Sequence, residues 1–430
     1  MSSLIRSLTI GLLAMLVGAI AMADTTVESG GQVRIRGEIA DKSFGDAETQ
    51  RTFVAMRTRV NLTARVDDNA TAFVQFQDTR TLGGYDQFSQ PQSGTLYDGK
   101  NVDIHQAYVQ MDKIWWDGFG ARVGRFEFIL GNQRAFGAVG WSNVGRAWEG
   151  GVFWYGKENF KVSAFNLKVL EVNDTRYNRD FDIIGLNLDW VKPDLELFGV
   201  YEYNADTTFY TAGINKLDRI DLGLYYRREH NQFDFTLNGI YQTGKQPVRV
   251  GTLIDTVNAE LDIAAFMAAF EIGYSLEGES NARVAAGIDY ASGDDNDSDS
   301  DFKAYNNLYY TGHKFRGYMD YFAGAEASKA YANAGLMDLM LRGRFDIAPG
   351  WTLKGDFHYF TAAADYRDPT DTTVLTTDIG MEFDFTMVTT SIAGVKWQAG
   401  ISIFLPKDAF AGRVDPDPGL WLYDMVTINF

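Results

Sequence analysis

Cysteine is absent from the 430 residues, which excludes a disulfide framework, thiolate metal sites and a cysteine nucleophile. Histidine is nearly absent too: the four, at positions 105, 230, 313 and 358, are scattered and leave little for a metal centre. Beyond the first residues no apolar run could form a membrane helix. The longest, Ile263 to Phe270, is about half of the ~20 residues required. Basic residues are outnumbered 39 to 57, and the resulting net charge of −18 argues against a nucleic-acid partner.

What is present points elsewhere. The chain starts MSSLIRSLTIGLLAMLVGAIAMADTT, with a basic residue (Arg6), an apolar stretch from Leu8 to Ile20, and the small-x-small site Ala21-Met22-Ala23. That is the pattern of a secretory signal peptide, residues 1 to 23, cleaved before Asp24. One domain, 24 to 430, follows. Its 14% aromatic content, 43 glycines and 8 prolines suit an all-β protein with tight turns.

From residue 31 onward a two-residue period dominates. In WTLKGDFHYF, Trp351, Leu353, Phe357 and Tyr359 share one face, while Thr352, Lys354, Asp356 and His358 share the other. LRGRFDI repeats the alternation, with Leu341, Phe345 and Ile347 opposite Arg342, Arg344 and Asp346. About eighteen such strands can be placed, and their connections alternate in length. Tight turns stand at 67–69, 157–159, 192–194 and 349–350; long polar loops span 81–101, 128–146 and 292–335. A soluble sandwich does not explain that strict short-long alternation. A transmembrane, antiparallel, up-and-down β-barrel does: its apolar face meets lipid, its charged face lines a wet lumen, and closure satisfies every backbone group. Trp115, Trp116, Trp148, Trp154, Trp190, Trp351 and Trp421 fall near strand ends, as interfacial girdles require. An even strand count puts both termini on the turn side, the periplasm, and the long loops outside the cell.

Several stretches together resemble the alginate-export family of outer-membrane proteins. They are RTRVNLTARV (57–66), ATAFVQFQDTR (70–80), DIHQAYVQM (103–111), ARVGRFEFILGNQRAFG (121–137), WSNVGRAWEGGVFWYG (141–156), ASGDD (291–295) and YTGHKFRGYMDYF (310–322). The resemblance implies an eighteen-stranded barrel of a Gram-negative outer membrane that passes anionic polysaccharide, guided by lumenal arginines. The positions it marks are Arg125 and Glu127 of GRFE, Arg134 of GNQR and Arg146 of NVGR. Phe126 and Asn132 stand where the family tends to carry Gln and Asp.

Strand parity assigns further lumen residues without any resemblance. Basic residues concentrate on the first two strands and on those near 336 and 351: Arg34, Arg36, Arg57, Arg59, Arg342, Arg344 and Lys354. Acids fall near 257 (Glu260, Asp262) and 374 (Glu382, Asp384). Two readings of the basic arc stay open: a track for an anion, suited by guanidinium forks, or cross-strand pairing that holds the wall together. The acidic stretch Asp294 to Asp301 offers Asp295, Asp297 and Asp299 to calcium. It lacks the glycine and distal glutamate of an EF-hand loop, and reads as a solvated surface loop. No serine–histidine spacing recommends a triad, so no enzyme and no cofactor is expected. The expectation is a monomeric channel for polar, anionic solutes, surrounded by outer-membrane lipid and lipopolysaccharide. The alternatives are a general or small-anion uptake porin, or a receptor barrel plugged by loops such as 81–101 and 128–146. The chain ends WLYDMVTINF, an alternating strand whose terminal Phe430 is expected to address the barrel-assembly machinery.

Overall fold

The computed structural model describes residues 25–45, 50–67, 69–83, 102–171, 180–204, 217–247, 260–278, 280–296, 298–322 and 331–430. The expected signal peptide (1–23), most of the loop at 81–101, and Asp297 lie outside the described residues. Nineteen strands form one sheet. The first thirteen run β1 (Thr25–Asp41), β2 (Arg51–Val66), β3 (Ala70–Thr81), β4 (Asp103–Met111), β5 (Phe119–Phe126), β6 (Trp148–Lys157), β7 (Phe160–Leu170), β8 (Phe181–Trp190), β9 (Asp194–Asn204), β10 (Leu217–His230), β11 (Phe233–Pro247), β12 (Glu260–Ser275) and β13 (Arg283–Ala291). After the two-residue β14 (Asp301–Phe302) come β15 (Leu336–Ala348), β16 (Trp351–Arg367), β17 (Leu375–Thr389), β18 (Val395–Pro406) and β19 (Gly419–Asn429).

β14 pairs in parallel with the outer end of β12 and does not cross the wall. β13 pairs directly with β15, so the other strands make a closed, antiparallel, eighteen-strand meander. β1 closes it against β19 from Gln32↔Asn429 to Asp41↔Leu420. β1 also begins earlier than its periodicity suggests, because Thr25 to Gly31 extend it along β2 past the end of β19.

Interfacial aromatics gather on the tight-turn side. Trp115 stacks on Phe119 at 5.3 Å, Phe160 lies 5.0 Å from Trp190, and Trp351 lies 6.1 Å from Trp397. These amphipathic rings mark the periplasmic boundary of the lipid. Trp148 and Trp421 do not join a girdle. Both are buried, Trp148 against the lumenal loops and Trp421 with its indole donating to Glu38 at 2.9 Å.

The inner wall also departs from expectation. On β12, Ile263, Ala265, Met267 and Ala269 are buried inside, while Phe266 and Phe270 face lipid. Glu260 and Asp262 therefore point outward near the rim, where Glu260 pairs with Lys245 at 3.3 Å. An apolar inner face is stable here because it packs against loops that enter the lumen.

The seam gives a test. At Gly31 a Cβ would meet the Phe430 ring at 2.5 Å and the Arg59 carbonyl oxygen at 2.7 Å, whereas at Gly37 nothing lies within 4 Å. Gly31→Leu should lower stability by about 1–3 kcal/mol, the scale of overpacking, and Gly37→Leu should not. Heat-dependent gel migration reads the difference.

Candidate channel constriction

Among the described residues, parts of two outer loops enter the barrel. The first, 127–147, joins β5 to β6, and the second, 292–335, joins β13 to β15. They zip together through backbone hydrogen bonds: Gly137 N–H to Tyr309 O (2.9 Å), Tyr309 N–H to Ala135 O (2.9 Å) and Thr311 N–H to Gln133 O (3.0 Å). Phe136, fully buried, packs between Trp148 and Tyr309 at ring distances of 5.5 and 5.1 Å. Around it Leu167, Ile183, Val200, Ile263 and Ala265 of the wall complete one core. A second core gathers Met319 and Phe322 of the later loop with Phe360, Phe404 and Trp421, and with Phe44 and Phe410 from neighbouring loops. Trp141 stacks on His313 at 4.2 Å and joins the two layers.

The basic arc on β1 and β2 holds this arrangement. Arg34 donates to the carbonyls of Gly140 and Ser142, each at 2.9 Å, and Arg57 donates to the same two at 3.2 and 3.0 Å. Arg36 reaches the Trp141 carbonyl at 2.7 Å with its guanidinium over the indole at 4.4 Å. Arg59 bonds Gln77 at 2.7 Å, His105 at 3.0 Å and Glu127 at 3.3 Å, and Gln77 donates to the Val144 carbonyl at 2.7 Å. Burial pushes the Glu127 carboxyl up, but hydrogen bonding to His105 and the charge of Arg59 outweigh it and hold Glu127 below the usual range. Arg57 and Arg59 are thus loop anchors. Neither open reading of the arc foresaw a guanidinium partnered by loop carbonyls.

The other expected site residues separate into groups. Arg134 forms an ion pair with buried Asp289, which Arg316 also approaches at 3.4 Å. Arg146 bonds the Tyr309 carbonyl, and burial lowers its pKa. On the wall Arg342 reaches Glu271 at 3.1 Å and the Phe315 carbonyl at 3.2 Å. Arg344, half exposed and 3.8 Å from Asp346, stands beside Lys354, while Asp356 lies opposite Arg342. Arg125 is a correction. Its neighbour Phe126 points inward, so Arg125 lies on the outer face, 2.9 Å from exposed Glu149 and bonded to the Ile104 carbonyl. The GRFE match had placed it in the lumen, against strand parity. Phe126 belongs to the loop core, and Asn132 offers its carbonyl to Lys314. Among the acidic-loop candidates, Lys303 approaches Asp295 at 3.3 Å and Asp299 at 3.6 Å. No metal-binding group of three such side chains occurs among the described residues.

Lys314 is the residue that sequence reading passed over. It ends a short 3-10 turn, Gly312–Lys314, and its Nζ donates to Asn132 O at 3.0 Å across the loop junction. Lys314 is exposed as a whole residue, its ammonium is turned to the Asn132 carbonyl, and no carboxylate lies within ion-pair distance among the described residues. Burial, then repulsion from Arg134 and Arg342, lowers its pKa. The signal available was the loop itself: YNNLYYTGHKFRGYMDYF (305–322) is too aromatic for a solvated loop.

Removing both Arg34 and Arg57 side chains leaves two loop carbonyls without their anchors. At about 1–3 kcal/mol per orphaned buried group, Arg34→Ala/Arg57→Ala should loosen residues 137–147, read as faster proteolysis there and noisier single-channel current. Glu127 contributes through its depressed pKa: that stability is full above its ordinary pKa near ~4.3. It is lost as pH falls through the lower folded value, so proteolysis of the loop should rise only in strong acid.

A family model described as alginate export matches residues 26–415. No curated protein matches the chain significantly. Among solved structures, OccAB1 of Acinetobacter baumannii superposes with a TM-score of 0.62 at 12% identity, over 96% of this chain and 99% of that one. OccK8 (OprE) of Pseudomonas aeruginosa gives 0.59 at 11% identity, over 94% and 98%. At such identity these neighbours speak for the barrel alone, while the family match spans nearly all of the described chain. The chain belongs to the alginate export family, and is a porin-type barrel of the Gram-negative outer membrane, a channel and not an enzyme.

Proposed function

We propose that this channel passes anionic solutes, carboxylated sugars and short acidic oligosaccharides above all, and that Lys314 selects them. The observation that carries the reading is a lysine at the junction of the two inward loops, near Arg134 and Arg342, that joins no ion pair among the described residues. Arg59, Arg134, Arg283 and Arg342 stand beside carboxylates that compensate their fields locally, whereas Lys314, among the described residues, has the Asn132 carbonyl alone. An uncompensated cation in a narrow, partly dry passage acts on a passing carboxylate more strongly than one in bulk water.

The loop layer favours small solutes over a polymer. Eighteen strands enclose a wide interior, but the two cores occupy the outer half of this one. Export of a polysaccharide, the second reading, rests on the family description and requires the loops to move aside. The assembly role of Phe430 is proposed alongside: its ring is exposed at the seam, where assembly machinery would meet it.

Reversal potentials in a planar bilayer under a KCl gradient test selectivity. Lys314→Ala should reduce the anion-to-cation permeability ratio by roughly fivefold, about 1 kcal/mol for a partly exposed charge. An unchanged ratio would sink the role of Lys314, and complete absence of wild-type conductance would favour the plugged-receptor reading. In the wild type, anion preference should fall as pH rises through a value below the ordinary lysine pKa near ~10.4, since deprotonation removes the charge; a flat profile to pH 10 counts against it.

A further inference from the structure

The lipid-facing wall carries a groove of about 950 Å³. It follows one hydrogen-bonded row across seven strands. Gly343 faces Gly355, then Phe385, Ile401, Leu422, Ile39 and Thr52 in turn. At the β15–β16 end the row lies a few residues from the periplasmic turn at 349–350. At the β1–β2 end it nears the outer rim at Asp41 and Arg51. Strand tilt makes such a row climb through the membrane.

Glycines open the groove. Gly343 and Gly355 adopt extended backbone that any residue could take, and an added Cβ would find its nearest neighbours at 3.8 and 3.6 Å. Neither backbone conformation nor close packing demands glycine at these positions, although glycine weakens a strand interior. Their missing side chains leave a trough walled by Phe345, Leu353, Phe385 and Met387. Asp424 stands on its rim with its carboxylate turned to the Trp397 indole N–H at 2.5 Å.

We infer that this groove is a lipid site: it takes an acyl chain of a phospholipid from the periplasmic leaflet. The surrounding medium is hydrocarbon, so an acyl chain is the apolar group at hand. The facing pair Gly343 and Gly355 sits just above the Trp351–Trp397 pair, which marks the periplasmic headgroup level. A lipid anchored there sends its chain directly into the trough. At the opposite end, Thr52 and Val54 line the wall with side chains, which makes entry from outer-leaflet lipopolysaccharide the poorer fit. The inference is independent of what the lumen conducts.

Native mass spectrometry of the full barrel, released from bilayers containing phosphatidylethanolamine and lipopolysaccharide, tests it. The wild type should retain phosphatidylethanolamine adducts, and Gly343→Leu/Gly355→Leu should lose them several-fold with unchanged heat-dependent migration. Equal retention by both proteins, or loss of lipopolysaccharide adducts instead, overturns the inference. Should the variant not fold, the wild type decides alone, using a phospholipid with a photoreactive acyl chain. Labelling concentrated on peptides carrying Phe345, Leu353 and Phe385 supports the site, and labelling spread evenly around the barrel refutes it.

Discussion

Every strand in this molecule depends on backbone groups having no partner in hydrocarbon other than another strand. An open edge would leave a row of unpaired N–H and C=O groups in lipid, so β1 must meet β19. Closure at eighteen strands then creates a second requirement. The circumference encloses more space than one layer of wall side chains can fill, and the described parts of two outer loops pack into it. Two apolar clusters of loop and wall residues therefore pack inside the barrel, while charged side chains such as Asp234, Glu271 and Arg283 gather near the tight turn at 231–232. That division explains why β12 presents Ile263, Ala265 and Met267 inward, where a uniformly wet lumen would ask for polar residues.

Loops entering a lumen bring backbone carbonyls that need donors. Arg34, Arg36 and Arg57 supply them, and a guanidinium suits the task because its planar fork reaches two carbonyls at once. Gly140, Trp141 and Ser142 are fixed in this way. Their loop then fixes Asn132 and Gln133, which hold the later loop at Lys314 and Thr311. The Lys314 charge is thus positioned by charges on the wall. Coupling of this kind makes the placement of Lys314 a consequence of wall arginines some distance away along the chain.

Much of the fold was legible in the sequence. A period of two survives membrane insertion because lipid and lumen differ in polarity along the whole height of the wall, so strands such as 351–367 and 336–348 announce their faces. Turn chemistry set the short-long alternation and with it the side on which the termini lie. The site was legible only in part. Arg57, Arg59, Arg342 and Arg344 were placed on the lumen face by parity, and all four lie there. Arg125 was expected in the lumen and lies on the outer face, because a motif match carries residue identity without strand phase. Trp148 and Trp421, read as girdle residues, are core residues, since a strand end next to an inward loop is not an interface.

The sequence by itself determined a closed, two-faced, eighteen-stranded wall, because alternation and turn length are local properties that each strand carries independently. Only the tertiary structure decided what lies inside. Whether an arginine lines a path or grips a carbonyl depends on a loop tens of residues away folding back against it, as 140–142 do against Arg34 and Arg57. Loop entry balances lost backbone freedom against apolar burial, and that balance is struck between segments from opposite sides of the barrel. No local period records it, so Lys314 becomes visible as a lone cation only once both loops are in place.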